Sequence, residues 1–92
     1  MFHQYAKFPG ELEISFSDVI DDQKASGKKT VFVCFKQKVS DHVKRSRFTL
    51  PDKKLVYNEG FTAMEQEKNE LILTNNEELI WKYAKLGGVK LK

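Results

Sequence analysis

Five side chains between residues 32 and 47 are the ones in this sequence best suited to hold a polyanion. They are Phe32, Lys36, Lys38, Arg45 and Arg47. Lysine and arginine bind phosphate oxygens, and an aromatic ring stacks on nucleobases, so a sheet face with both is typical of single-strand binding domains. These residues predict a nucleic-acid-binding surface, provided that the fold brings them to one face.

The charge distribution along the chain also favours an anionic partner. Residues 28–54 contain nine basic and two acidic residues, a net charge of +7, whereas the rest of the chain has seven basic and eleven acidic residues, a net charge of −4. A basic segment inside an otherwise acidic chain is typical of a binding surface for an anion.

Two strands separated by one turn place these residues on a hairpin. If the chain turns at Val39–His42, one face holds pairs that form a core: Val31 with Leu50, Val33 with Phe48, and Phe35 with Ser46. On the other face Cys34 lies opposite Arg47, and Lys36 lies opposite Arg45. Like charges directly opposite each other destabilise a sheet by a few tenths to about 1 kcal/mol, so the pair needs a compensating charge.

Two sources of negative charge could compensate the Lys36–Arg45 pair. One is a bound polyanion. The other is the alternating first strand, residues 11–17, whose pairing with the second strand would put Glu11 opposite Lys36 and Glu13 opposite Cys34. Two glutamates among four cations would neutralise about half of the basic face.

Other chemistries have weaker support in the sequence. Cys34 and His42 resemble a cysteine–histidine nucleophile pair, but no orienting Asn or Asp is evident, and the hairpin separates them. The two histidines and the acidic residues do not have metal-ligand spacing, and a single cysteine excludes a disulfide within the chain. We therefore expect a protein that is not an enzyme and has neither a metal nor a cofactor.

Trp81 is the main candidate for a protein interface. It falls on the polar side of the C-terminal helix predicted from TNNEELIWKYAKLGG, whose start we place at Thr74 or Asn75. Either the aromatic N-terminal arm, residues 1–10, covers Trp81, or a partner protein or a second copy covers it.

The segment between the hairpin and this helix allows two interpretations. Residues 62–70 form a short helix if Thr62 and Glu65 make a capping box, or a further hairpin if residues 71–74 are a strand. We favour the hairpin. We interpret the polar stretch around residues 18–29 as an exposed loop.

The predicted fold is α+β: an antiparallel β-meander of four or five strands packed against one C-terminal α-helix, in a single small domain spanning residues 1–92. No apolar run reaches the roughly 18 residues that span a bilayer, the N-terminus does not resemble a signal peptide, and one unpaired cysteine fits the cytoplasm. The predicted core is Leu12, Ile14, Phe16, Val31, Val33, Phe35, Phe48, Leu50, Leu79, Ile80 and Tyr83.

The predicted function is that of a small binding module for a polyanion, most plausibly nucleic acid, which it binds through the basic hairpin face. The alternative is a protein-interaction or self-assembly module that uses Trp81 and the aromatic arm.

Overall fold

Five antiparallel strands lie side by side, and one long helix packs against one face of the sheet. A computed structural model of the chain describes residues 2–22, 28–50 and 52–86. The elements are β1 (Phe2–Phe8), β2 (Leu12–Ser17), β3 (Ile20–Asp22), β4 (Lys28–Val39), β5 (His42–Leu50), β6 (Leu55–Glu59) and α1 (Ala63–Lys85). The strand order β1-β2-β4-β5-β6 confirms the predicted α+β meander with a single C-terminal helix.

The β4–β5 hairpin has the predicted register. Val33 pairs with Phe48, Cys34 with Arg47 and Lys36 with Arg45, and the ladder ends where Val39 pairs with His42. Because successive side chains point to opposite faces, this register puts the core residues of both strands under the helix and Lys36, Arg45 and Arg47 on the other side.

The register between β2 and β4 differs from the prediction by two residues. Glu13 lies opposite Lys36, and Ser15 lies opposite Cys34, so the predicted pairing of Glu11 with Lys36 is wrong. A shift of two residues keeps every side chain on its face, which is why the hydrophobic pattern could not distinguish the two registers.

The predicted loop around residues 18–29 is partly a strand. Ile20–Asp22 forms β3 and pairs with residues 28–30 at the start of β4. Residues 23–27 of that predicted loop lie outside the described residues.

The helix α1 begins after Thr62 and not at Thr74 or Asn75, so the favoured hairpin at residues 62–70 is wrong. The side chain of Thr62 accepts a hydrogen bond from the Glu65 backbone N–H at 3.2 Å, and the Glu65 carboxylate accepts one from the Thr62 N–H at 2.9 Å. Lys44 donates to the same carboxylate at 2.8 Å. The hydrogen bond from Lys44 lowers the pKa of Glu65, and the hydrogen bond from the Thr62 N–H lowers it further. Thr74 and Asn75 lie inside the 23-residue helix.

The sequence favours the hairpin because a helix at this point would place only Met64, Leu71 and Ile72 on its core side. Asn69 and Leu73 are buried, whereas Leu71 is exposed. The Asn69 side chain donates to the Gln66 Oε1 at 2.8 Å, and this hydrogen bond lets a polar residue occupy a core position. A count of apolar residues alone cannot recognise such a position.

The core lies between α1 and the sheet. Eight of the predicted core residues are buried: Ile14, Phe16, Val31, Val33, Phe35, Phe48, Leu50 and Ile80. Leu12 and Tyr83 pack at its edge. Leu79 is 45% exposed, so its assignment to the core was wrong, and Phe61, Leu73 and Ala84 join the core instead. The buried stripe of α1 runs through residues 73, 80 and 84, so the helix is turned about its axis enough to expose Leu79 while Ile80 stays in the core.

The capping box gives a direct test of where α1 begins. We expect Thr62→Ala to destabilise the protein by about 1 kcal/mol, because the first turn loses its side-chain acceptor. Thr74→Ala is the matched control: in the middle of an exposed helix face, alanine should be neutral or stabilising by up to about 0.7 kcal/mol. Urea unfolding followed by circular dichroism measures both. A larger loss for Thr74→Ala would contradict the observed helix start.

Candidate nucleic-acid interface

The face of the sheet that points away from α1, which we call the outer face, holds all five predicted binding residues. Phe32, Lys36 and Lys38 come from β4, and Arg45 and Arg47 come from β5. They alternate with the core residues of the same strands, which is why both strands contribute to one basic surface.

One row of charged residues crosses the outer face from edge to edge. In order from β1 to β6 it contains Lys7, Glu13, Lys36, Arg45 and Glu59, each paired with the next. The like-charged neighbours at the centre therefore have a glutamate on each side. Glu13 is one of the two glutamates expected beside the basic face, whereas Glu59 was not anticipated.

These glutamates do not fully neutralise the face. Together with Lys38, Arg47 and Glu11, this row has five cations and three acids, an excess of two positive charges among the described residues. Among the described residues, no ion pair within 4.0 Å involves Lys36, Lys38 or Arg45. All three side chains are exposed, so they remain available to an anion.

Arg47 has a different role from the other cations, because its guanidinium lies among aromatic rings. The guanidinium carbon is 4.9 Å from the ring centroid of Phe2, 5.5 Å from that of Phe32 and 5.4 Å from that of Tyr57. These distances are within the range of cation–π attraction. We call these four residues the Arg47 cluster.

Cys34, the residue opposite Arg47 on β4, helps to hold Arg47 in this position. The Nε–H of Arg47 donates to the Cys34 Sγ at 3.2 Å, and this hydrogen bond raises the pKa of Arg47. Cys34 and Ser15 are short side chains that lie next to each other on the outer face. They leave room for a long side chain to lie over the sheet.

Two members of the Arg47 cluster were missed at the sequence level. Phe2 was assigned to the N-terminal arm, and Tyr57 lies in a short strand with an irregular register next to Phe48. The alternation of LVYNE could have put Tyr57 on the same face as Arg47, but only if the pairing of β5 and β6 had been known.

The N-terminal residues form part of the sheet and are not a loose arm that covers Trp81. Residues 2–8 of the predicted arm form the edge strand β1, which pairs with β2. The Tyr5 hydroxyl donates to Asn76 Oδ1 at 2.7 Å, so β1 is tied to α1. Trp81 is half-buried and packs against the core of its own chain.

The other candidate chemistries find little support in the described part of the chain. Cys34 pairs with Arg47, whereas His42 lies at the far end of the ladder beside Asp41. No group of three or more His, Cys, Asp or Glu residues in this part of the chain is placed to hold a metal ion. Within residues 63–85, which form its helix, the chain is too polar to cross a bilayer.

Comparison of the chain with protein-family models, curated protein sequences and solved structures finds no match. The functional interpretation therefore depends on the geometry and charge of the outer face.

The two arginines of the outer face should differ in their effect on stability. We expect Arg47→Gln to destabilise the protein by about 1–2 kcal/mol, because it removes a cation from three ring contacts worth roughly 0.5–1 kcal/mol each. Arg45→Gln is the control with the same change of charge, and it should stay within about 0.5 kcal/mol of the parent. Urea unfolding measures both values. Equal losses would show that the Arg47 cluster does not stabilise the sheet.

Proposed function

We propose that the chain is a small non-enzymatic module that binds a polyanion, above all nucleic acid, through the outer face of its sheet. The observation that carries this proposal is a group of three exposed cations, Lys36, Lys38 and Arg45, which have no ion-pair partner among the described residues. The unpaired Cys34 suits a reducing compartment, so we place this binding in the cytoplasm.

The geometry of these cations favours an extended anion. Lys36 and Arg45 face each other across two strands, about 5 Å apart at their backbones. Lys38 follows on the same face two residues further along β4, about 7 Å away. Such a row can contact several phosphates of one backbone, and each contact would relieve the repulsion between Lys36 and Arg45.

Nucleic acid is favoured over other polyanions because an aromatic ring adjoins the cations. Phe32 is only half-buried and lies on the outer face near Arg47. Phosphate groups alone would not use a ring in that position, whereas a nucleobase would stack on it.

A triple variant tests the cation row. We expect Lys36→Gln, Lys38→Gln and Arg45→Gln together to weaken binding to a labelled oligonucleotide of about 12 nucleotides by about tenfold or more. The dependence of log K on log salt should become shallower by about 2, since each lost contact to a single strand removes about 0.7. Fluorescence anisotropy at several salt concentrations measures both quantities.

The matched control removes the same charge from the opposite side of the molecule. Lys68, Lys82 and Lys85 are exposed on α1, and their replacement by glutamine should leave affinity and salt dependence close to those of the parent. Parent protein that binds neither single- nor double-stranded DNA or RNA at low salt would refute the proposal. Equal losses in the two triple variants would show that only net charge matters.

Self-association through α1 is the second candidate function. The half-buried position of Trp81 makes it a poorer anchor than the sequence predicted, but four large apolar residues are exposed along the helix: Met64, Leu71, Leu79 and Leu86. Glu67 and Lys85 are 18 residues, five full turns, apart and lie on the same side of the helix. In an antiparallel pair of helices, Glu67 of each copy would lie near Lys85 of the other, so we propose a second copy as the partner.

Charge reversal tests this pairing. Lys85→Glu should weaken self-association, because it puts two acidic residues together, and the further change Glu67→Lys should restore it. Sedimentation velocity over a range of concentrations measures the association. A parent protein that stays monomeric at the highest concentration, or a double variant that is not restored, would rule out this arrangement.

A further inference from the structure

The Arg47 cluster contains more aromatic surface than a half-buried arginine needs. Its three rings come from three different strands, Phe2 from β1, Phe32 from β4 and Tyr57 from β6, so the sheet brings them together although they are up to 55 residues apart. Phe2 is 41% exposed, and Phe32 and Tyr57 are half-buried. All three lie on the side of the sheet away from the core.

We infer that the Arg47 cluster is a stacking platform for unpaired bases, so that the nucleic acid bound by the outer face is single-stranded. This inference rests on the proposed function and adds to it the structural class of the partner. The rings contribute base stacking, and the neighbouring cations contribute phosphate contacts.

The position of the cluster relative to the cation row fits one strand in an extended conformation. On β5, Arg47 lies two residues from Arg45 on the same face, about 7 Å along the strand. Bases directed from the row towards the cluster would reach the rings of Phe2, Phe32 and Tyr57. The Arg47 guanidinium lies among these rings and is itself a flat surface on which a base can stack.

A duplex cannot use this platform. In double-stranded nucleic acid the faces of each base are covered by the neighbouring base pairs, and a protein can reach only the edges of the bases. A single strand can turn its bases outward, and each base that stacks on a ring gains about 1–3 kcal/mol, which is about 5- to 150-fold in affinity.

The experiment compares three ligands with the same number of phosphates: oligo(dT), an abasic deoxyribose-phosphate chain, and a DNA duplex of half the length. We expect oligo(dT) to bind at least about fivefold more tightly than either of the others, as the gain from a single stacked base would require. Fluorescence anisotropy at one fixed salt concentration measures the three affinities.

Substitutions in the cluster connect this preference to the rings. Phe2→Leu combined with Tyr57→Leu should reduce the preference for oligo(dT) over the abasic chain, because two of the three rings are lost, and should leave the abasic affinity unchanged. The control, Phe2→Tyr with Tyr57→Phe, retains both rings and should retain the preference. Circular dichroism checks that both double variants are folded.

The outcomes separate this inference from the proposed function. If the abasic chain and oligo(dT) bind equally well, or if the duplex binds as tightly as oligo(dT), the stacking platform is refuted and polyanion binding stands. A preference for oligo(dT) that is undiminished in the leucine variant also refutes the platform. If none of the three ligands binds, the proposed function fails, and the inference fails with it.

Discussion

The structure depends on the register of the β4–β5 ladder. This ladder pairs nine residues of each strand, from Val31 with Leu50 to Val39 with His42. Val31 with Leu50 and Val33 with Phe48 are buried apolar pairs, and Phe35 is buried opposite Ser46, so a slip of one residue would turn Phe35 or Phe48 to solvent and bring lysine or arginine into the core. The cost of that slip is what maintains one apolar face and one basic face.

The packing of the core forces two like charges to lie opposite each other on the basic face. Because the apolar pairs determine the register, Lys36 and Arg45 must lie opposite each other even though both are positively charged. Glu13 and Glu59, on the strands to either side, reduce the repulsion without forming ion pairs within the described residues. Arg47 has no such repulsion, because it lies over the neutral Cys34 among three aromatic rings.

The parts that the sequence predicts well are those determined by short-range pattern. Strict alternation and a single turn between two strands are enough to assign the β4–β5 register and the faces of Phe32, Lys36 and Arg47. The β2–β4 register is not determined in this way, since a shift of two residues preserves the pattern. The start of α1 was missed because its core stripe includes the hydrogen-bonded Asn69, which has no hydrophobic signature. Phe2 and Tyr57 could not be placed, because they reach Arg47 only through strand pairings far apart in sequence.

The location of Trp81 has a practical consequence for optical work on this protein. It is the single tryptophan of the chain, and it lies on α1 against the core, whereas Tyr57 lies on the outer face of the sheet. The intrinsic emission above 300 nm, which tryptophan dominates, therefore reports whether the helix is docked on the sheet. Phenol absorbance does not separate the two sides in the same way, since Tyr5 and Tyr83 lie on the helix side of the sheet and absorb together with Tyr57. The emission of Trp81 is therefore the intrinsic signal that reports on one side of the molecule alone.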